Sequence, residues 1–183
     1  MATYPGTTIE VIELKKGASR QLFDGIFAAG GITLSQLSNM TGLEPHVIQN
    51  WVKRRFVSSP VKKMYSSQQF ARVVIINMLR DTLQIEAICN LINIIGGDID
   101  DPSDDLICDD ELYHTYVDMI SEGTIVISDV GAVKEAVAEA TRQISLKTKE
   151  DKARLEKVLQ VMLYAHSASK LRDSAKEVLT LLD

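Results

Sequence analysis

The sequence predicts an all-α protein, with a helix-turn-helix head in front and a helical module behind. Three observations carry that prediction. Apolar residues recur at three- and four-residue steps through most of the chain after Lys16, the spacing of an amphipathic helix. Glycine pairs at 30–31 and 96–97 and a polar loop at 57–66 cut this pattern into helix-sized pieces. Strand character is confined to two short stretches, TTIEVIEL at 7–14 and TIVIS at 124–128.

The elements follow in order. Residues 7–14 read as a short strand or an extended lead-in. Leu22, Phe23, Ile26 and Phe27 predict a helix over 16–29, stopped by Gly30 and Gly31. Two short helices follow over 34–40 and 45–55. Ser66 is placed to cap a helix over 67–80, whose apolar positions include Phe70, Val73, Val74, Ile76 and Met78. A further helix over 85–95 ends at Gly96-Gly97. After an acidic loop, helical patterns fill 110–122, 130–145 and 150–182. The last is long. Leu155, Val158, Met162, Ala165, Ala168, Leu171, Ala175, Val178 and Leu182 form one stripe along it, suited equally to an intrachain core and to a dimer seam.

Composition narrows the function classes. The chain has 183 residues, 45% apolar and 25% charged, enough for one large or two small globular domains. No apolar run approaches the ~18 residues of a membrane span, and MATYPGTTIE lacks the features of a signal peptide. Cys89 and Cys108 have no CxxC partner and read as small packing residues. We expect a cytoplasmic protein without membrane association. The net charge of −5 hides an asymmetry. From 33 to 80 there are seven cations against one anion, Glu44; from 81 to 139 there are fifteen anions against one cation, Lys134. A basic block beside an acidic one suggests two modules, the basic one facing an anionic partner.

The basic block holds LSQLSNMTGLEPHVIQNWVKRRFVSSP. Its spacing fits two short helices packed at a steep angle. Leu37 forms the inner face of the first, Ser38 is small where the helices meet, and Gly42 takes the turn. Leu43 plugs the angle, Pro45 presets the first turn, and Ile48 and Trp51 point the second helix inward. His46, Gln49, Asn50 and Lys53 are left facing out, a set suited to base edges and phosphates. Arg54 follows them, and Lys62, Lys63 and Tyr65 come next in a loop that can lie along a phosphate backbone.

This order of motifs, running on through KKMYSSQQFARVVIINMLRDTLQIEAICNLI, resembles the DNA-binding head of MerR-type transcription regulators. It is closer still to an uncharacterised bacterial family of domains of unknown function, itself MerR-like. In MerR-type heads a basic, glycine-marked segment, a proline, a short wing and a Tyr-Ser pair lead into a second helix pair. Tyr65-Ser66 resembles that pair, and 83–92 resembles the second helix pair. The resemblance covers about 17–97. It implies a winged helix-turn-helix that binds double-stranded DNA as a homodimer, and a module over 98–183 for dimerisation or for a small-molecule or protein effector; Arg72, a cation of the basic block, joins the expected DNA contacts. The sequence departs from the pattern at Arg55-Phe56, where glycine and leucine are usual. Trp51 replaces a tyrosine, Gln49 replaces an arginine, and the wing lacks an arginine-rich element.

Other chemistry finds little support. Asp98, Asp100, Asp104 and Asp109 fall at calcium-loop positions one, three, seven and twelve. Pro102 and Ser103 occupy positions five and six, and position twelve is not glutamate, so a solvated loop is the better reading. His46, His114 and His166 have no metal-ligand spacing. No nucleophile elbow, Walker or dinucleotide-binding pattern occurs. The expectation is a non-enzymatic, cofactor-free DNA-binding regulator. The alternative is a protein-interaction module that keeps the helix-turn-helix but not the DNA.

Overall fold

The computed structural model describes residues 1–97, 99 and 105–182. Strands β1 (Ala2–Thr3) and β2 (Glu10–Val11) pair antiparallel ahead of helix α1 (Ala18–Phe27). Strand β3 (Ile32–Thr33) leads directly into α2 (Leu34–Thr41), and α3 (Pro45–Lys53) follows. Strand β4 (Met64–Tyr65) precedes α4 (Ser67–Leu79) and α5 (Ile85–Gly96). The remaining helices are α6 (Asp109–Ser121), α7 (Val130–Ala140) and α8 (Lys149–Thr180). The chain is therefore mostly helical. Among the described residues no helix is long and apolar enough to cross a membrane.

Local chemistry explains the boundaries. Thr33 and Ser66 each close a reciprocal capping box, with Gln36 and Gln69 answering back to the cap backbone. Gly42 ends α2 at φ 69°, where a side chain would be strained. Asp129 caps α7 and Thr148 caps α8.

Helix α4 is the axis of the fold. Nine of its residues are buried, from Phe70 to Leu79 with only Asn77 less covered. A helix apolar on every side must be surrounded, and α4 packs against α2, α5, α6 and α8. Buried residues from α1 to α8 therefore join in one core. Phe23 stacks on Tyr113 at 5.6 Å and meets Phe70 edge-on at 5.1 Å. The Tyr113 hydroxyl donates to the Pro5 carbonyl at 2.9 Å, and Arg20 bonds both Glu111 and Asp118 at 2.6 Å.

Four details differ from the sequence reading. Strands β3 and β4 pair antiparallel, Ile32 with Tyr65 and Thr33 with Met64, joining the start of α2 to the loop before α4. Residues 124–126 are irregular and 127–128 form a turn, with no strand there, and α7 stops at Ala140. There Thr141 folds its hydroxyl back onto the Val137 carbonyl at 3.0 Å. The long stripe on α8 splits. Leu155, Val158, Met162 and Ala165 are buried, whereas Ala168, Leu171, Ala175, Val178 and Leu182 are exposed. Of the calcium-loop positions, Asp98, Asp100 and Asp104 lie outside the described residues. Among the described residues no cluster of His, Cys, Asp or Glu could hold a metal ion.

Candidate nucleic-acid interface

The α2–α3 pair is built as its spacing requires. Leu37, Leu43, Ile48 and Trp51 are buried and fill the angle between the helices. The Ser38 hydroxyl donates to the Leu43 carbonyl at 2.6 Å, which a larger side chain would prevent. The chain leaving α3 folds back at once: the Phe56 amide donates to the Trp51 carbonyl at 2.9 Å, and Val57 is fully buried. These contacts fix α3 on one side only.

The other side of α3 is open. His46, Gln49, Asn50 and Lys53 are exposed, and none of their side chains makes a hydrogen bond or ion pair among the described residues. Arg54, also exposed, is engaged within the chain. Its guanidinium lies 4.5 Å above the Phe56 ring and bonds Glu86 on α5 at 2.6 Å.

The loop before α4 ends in a two-residue hairpin. Val61 and Met64 exchange backbone hydrogen bonds of 3.1 and 2.9 Å, with Lys62 and Lys63 between them. Both lysines are exposed and have positive φ, 51° and 65°. That is the tight-turn geometry in which Asn-Gly is normally favoured. Gln69 holds the stem, its amide donating to the carbonyls of Ser58 and Ser59 at 3.0 and 2.9 Å. The pairing of β3 with β4 anchors the other side.

Two expected contact residues are not on this surface. Tyr65 is buried, its ring turned inward by the β3–β4 pairing and its hydroxyl pKa raised by burial. Arg72 is buried too. It donates to the Phe56 carbonyl at 2.7 Å, to Asp109 at 3.2 Å and to Asn93. Burial lifts the Asp109 carboxyl above its usual range, with the guanidinium opposing the rise. Arg72 is a structural hub between α4, α5 and α6, its guanidinium already engaged by acceptors of the chain itself.

One residue of the surface went unmarked in the sequence. Arg55 is exposed at φ 59°, directly after α3. The signal for it was the arginine at a position where the resembled pattern has glycine. Lys62, Lys63 and Arg55 are the non-glycine residues with positive φ among those described, and all three are cations.

The family described as Domain of unknown function (DUF1836) matches residues 23–116, just over half of the chain. The chain belongs to this family. The match starts in α1 and ends in α6, so it spans the open face of α3, the lysine hairpin and the Arg72 hub. No curated protein and no solved structure matches the chain.

Proposed function

We propose that this DUF1836 protein is a sequence-specific, double-stranded DNA-binding regulator of transcription with a MerR-like winged helix-turn-helix head. Helix α3 enters the major groove and presents His46, Gln49, Asn50 and Lys53. The 61–64 hairpin acts as the wing and lays Lys62 and Lys63 on the phosphate backbone. Arg54 and Arg55 flank them.

The carrying observation is the backbone at Lys62 and Lys63. A non-glycine residue in the left-handed region costs about 1–2 kcal/mol. Two adjacent lysines kept there at an exposed tip do nothing for packing. Their charge explains their presence if an anion meets the tip. The protein acts as a homodimer in this reading, since two heads double the contacts on a symmetric site. Leu171 and Val178, exposed on the far half of α8, and Leu182 just beyond its end suit the apolar seam of such a pair.

The test is a paired variant, Lys62→Asn with Lys63→Gly, titrated with fluorescent random duplex DNA at several salt concentrations. The new residues favour the turn, so the variant should be more stable by about 1–2 kcal/mol. It should bind DNA more weakly, and its salt slope should fall by roughly two units. Unchanged affinity and slope would overturn the proposal. A parent protein with no salt-dependent binding would favour the protein-interaction reading instead.

A further inference from the structure

A cavity of about 700 Å³ lies between the end of α6, the segment 123–128 and the middle of α8. Its walls are apolar: Ile120, Ile125, Ile127 and Leu163 line it. The segment 124–128 reads as a short extended piece in the sequence because it is β-branched. In the structure it forms no strand, and its side chains divide between two sides. Ile125 and Ile127 turn to the cavity, while Val126 between them is exposed.

Polar groups gather on the α8 side. Lys170 is the one charged residue in the lining, and no carboxylate accompanies it. It has no ion-pair partner among the described residues. His166 is held in place through Nδ1, 2.7 Å from the Tyr116 hydroxyl. Its Nε2 has no partner among the described residues, where no fully buried side-chain nitrogen lacks one, so Nε2 is open to solvent on a residue that lines the cavity. Burial, and then Lys170, push the imidazole pKa down to about 4, so the ring is neutral near pH 7. In the tautomer where Nδ1 accepts from the tyrosine hydroxyl, the ring proton is on Nε2, which is then a donor.

We infer that this cavity binds a small amphipathic carboxylate, its chain against the isoleucines and Leu163 and its head on Lys170 and His166. The volume lies within the range of small-molecule sites, which are mostly apolar with a few convergent polar groups. A neutral apolar ligand would leave the Lys170 ammonium facing the cavity without a counter-charge. An acid with a straight apolar chain satisfies both the walls and the cation. The inference stands apart from DNA binding, although a ligand here would sit on α6 and α8, which both pack on α4 beneath the head.

The test is calorimetric titration of the full chain with decanoate and with decanol, which has the same chain length but no charge. Decanoate should bind saturably, at one per chain, about tenfold or more tighter than decanol. Lys170→Gln, at an exposed position, should fold normally and remove most of that preference. Ser167→Trp, which fills the lining, should weaken both ligands. Equal binding of acid and alcohol would overturn the assignment, as would no saturable binding of decanoate. So would a decanoate affinity that falls as protein concentration rises, because a second copy of the chain would then be the occupant.

Discussion

Polar side chains are used in two ways in this protein. Along the seam where α4 meets α5, α6 and α8, every buried polar atom described has a partner. Arg72 has three, Tyr116 and His166 bond each other, and Asn77 spans the carbonyls of Gly6 and Thr41. At His46, Gln49, Asn50, Lys53, Lys62 and Lys63, side chains of similar chemistry are exposed and make no hydrogen bond or ion pair among the described residues. Burial explains the contrast for the first set, because an unpaired buried polar group costs about 1–3 kcal/mol. Solvation removes that pressure from the second set. A polar atom at the surface is therefore free to serve a partner, and one already paired at the seam is not. Changes at the seam should alter stability and leave DNA binding alone; changes on the open face should do the reverse.

The largest effect is expected at Arg72. Truncating it to alanine leaves Asp109, Asn93 and the Phe56 carbonyl without their donor. Removing one member of a buried ion pair costs about 3–5 kcal/mol. Urea denaturation should show this loss directly. If Arg72→Ala were instead as stable as the parent and defective only in DNA binding, the division between seam and open face would be wrong at its centre.

The His166–Tyr116 pair sharpens the contrast through pH. The folded chain holds His166 neutral, with its pKa near 4, while the unfolded chain protonates it near 6.5. Between those values the unfolded state binds the extra proton. Stability is therefore full above about pH 6.5, falls as pH is lowered and levels off near pH 4. The full loss is on the order of 3 kcal/mol. His114, lowered by burial and by Arg20, adds a loss of the same sign. Denaturation curves collected from pH 7.5 to 4.5 should be flatter for His166→Gln, and an unaltered slope would remove His166 from the seam.

Much of this division could be read in the sequence, and the exceptions are instructive. The helix pair was legible because Leu37, Gly42, Ile48 and Trp51 answer to local geometry. Ser66 was legible as a cap because capping is settled within four residues. The β3–β4 pairing was not, since two residues at 32–33 carry no period and their partners lie more than thirty positions away. That pairing is what buries Tyr65. Arg72 was misplaced for a related reason: a guanidinium inside an apolar helix looks basic until its three acceptors arrive from elsewhere in the chain. On α8 the stripe keeps one period from end to end. Only length separates its halves. At 32 residues the helix spans about 48 Å, against about 20 Å for α6. It overhangs the body of the fold, and its last described tie to another element is Arg172 with Asp81 at 2.9 Å.

On the open face, Gln49 and Asn50 should behave in the opposite way to Arg72. Each carries paired donors and acceptors suited to an adenine edge. Replacing either with alanine should weaken binding to a selected sequence by about 1–3 kcal/mol and leave random DNA nearly unaffected. Stability should stay within about 0.5 kcal/mol of the parent, as for most surface changes. Titrations on selected and random duplexes, beside a melt of each variant, separate these readouts.

The smallest effect tests where the open face ends. Arg54 follows Lys53 directly, yet Glu86 already holds it. Glu86 has its own pKa lowered, first by a backbone hydrogen bond and then by Arg54. Both side chains are about half exposed, and pairs in water add little to stability. Replacing Glu86 with glutamine removes a charge that would repel phosphate and releases Arg54 to meet one. The melting temperature should not move, while affinity for random duplex should rise and the salt slope should steepen by up to about one unit. A lower melting temperature with unchanged binding would assign Arg54 to the seam instead. The open face of α3 would then end at Lys53.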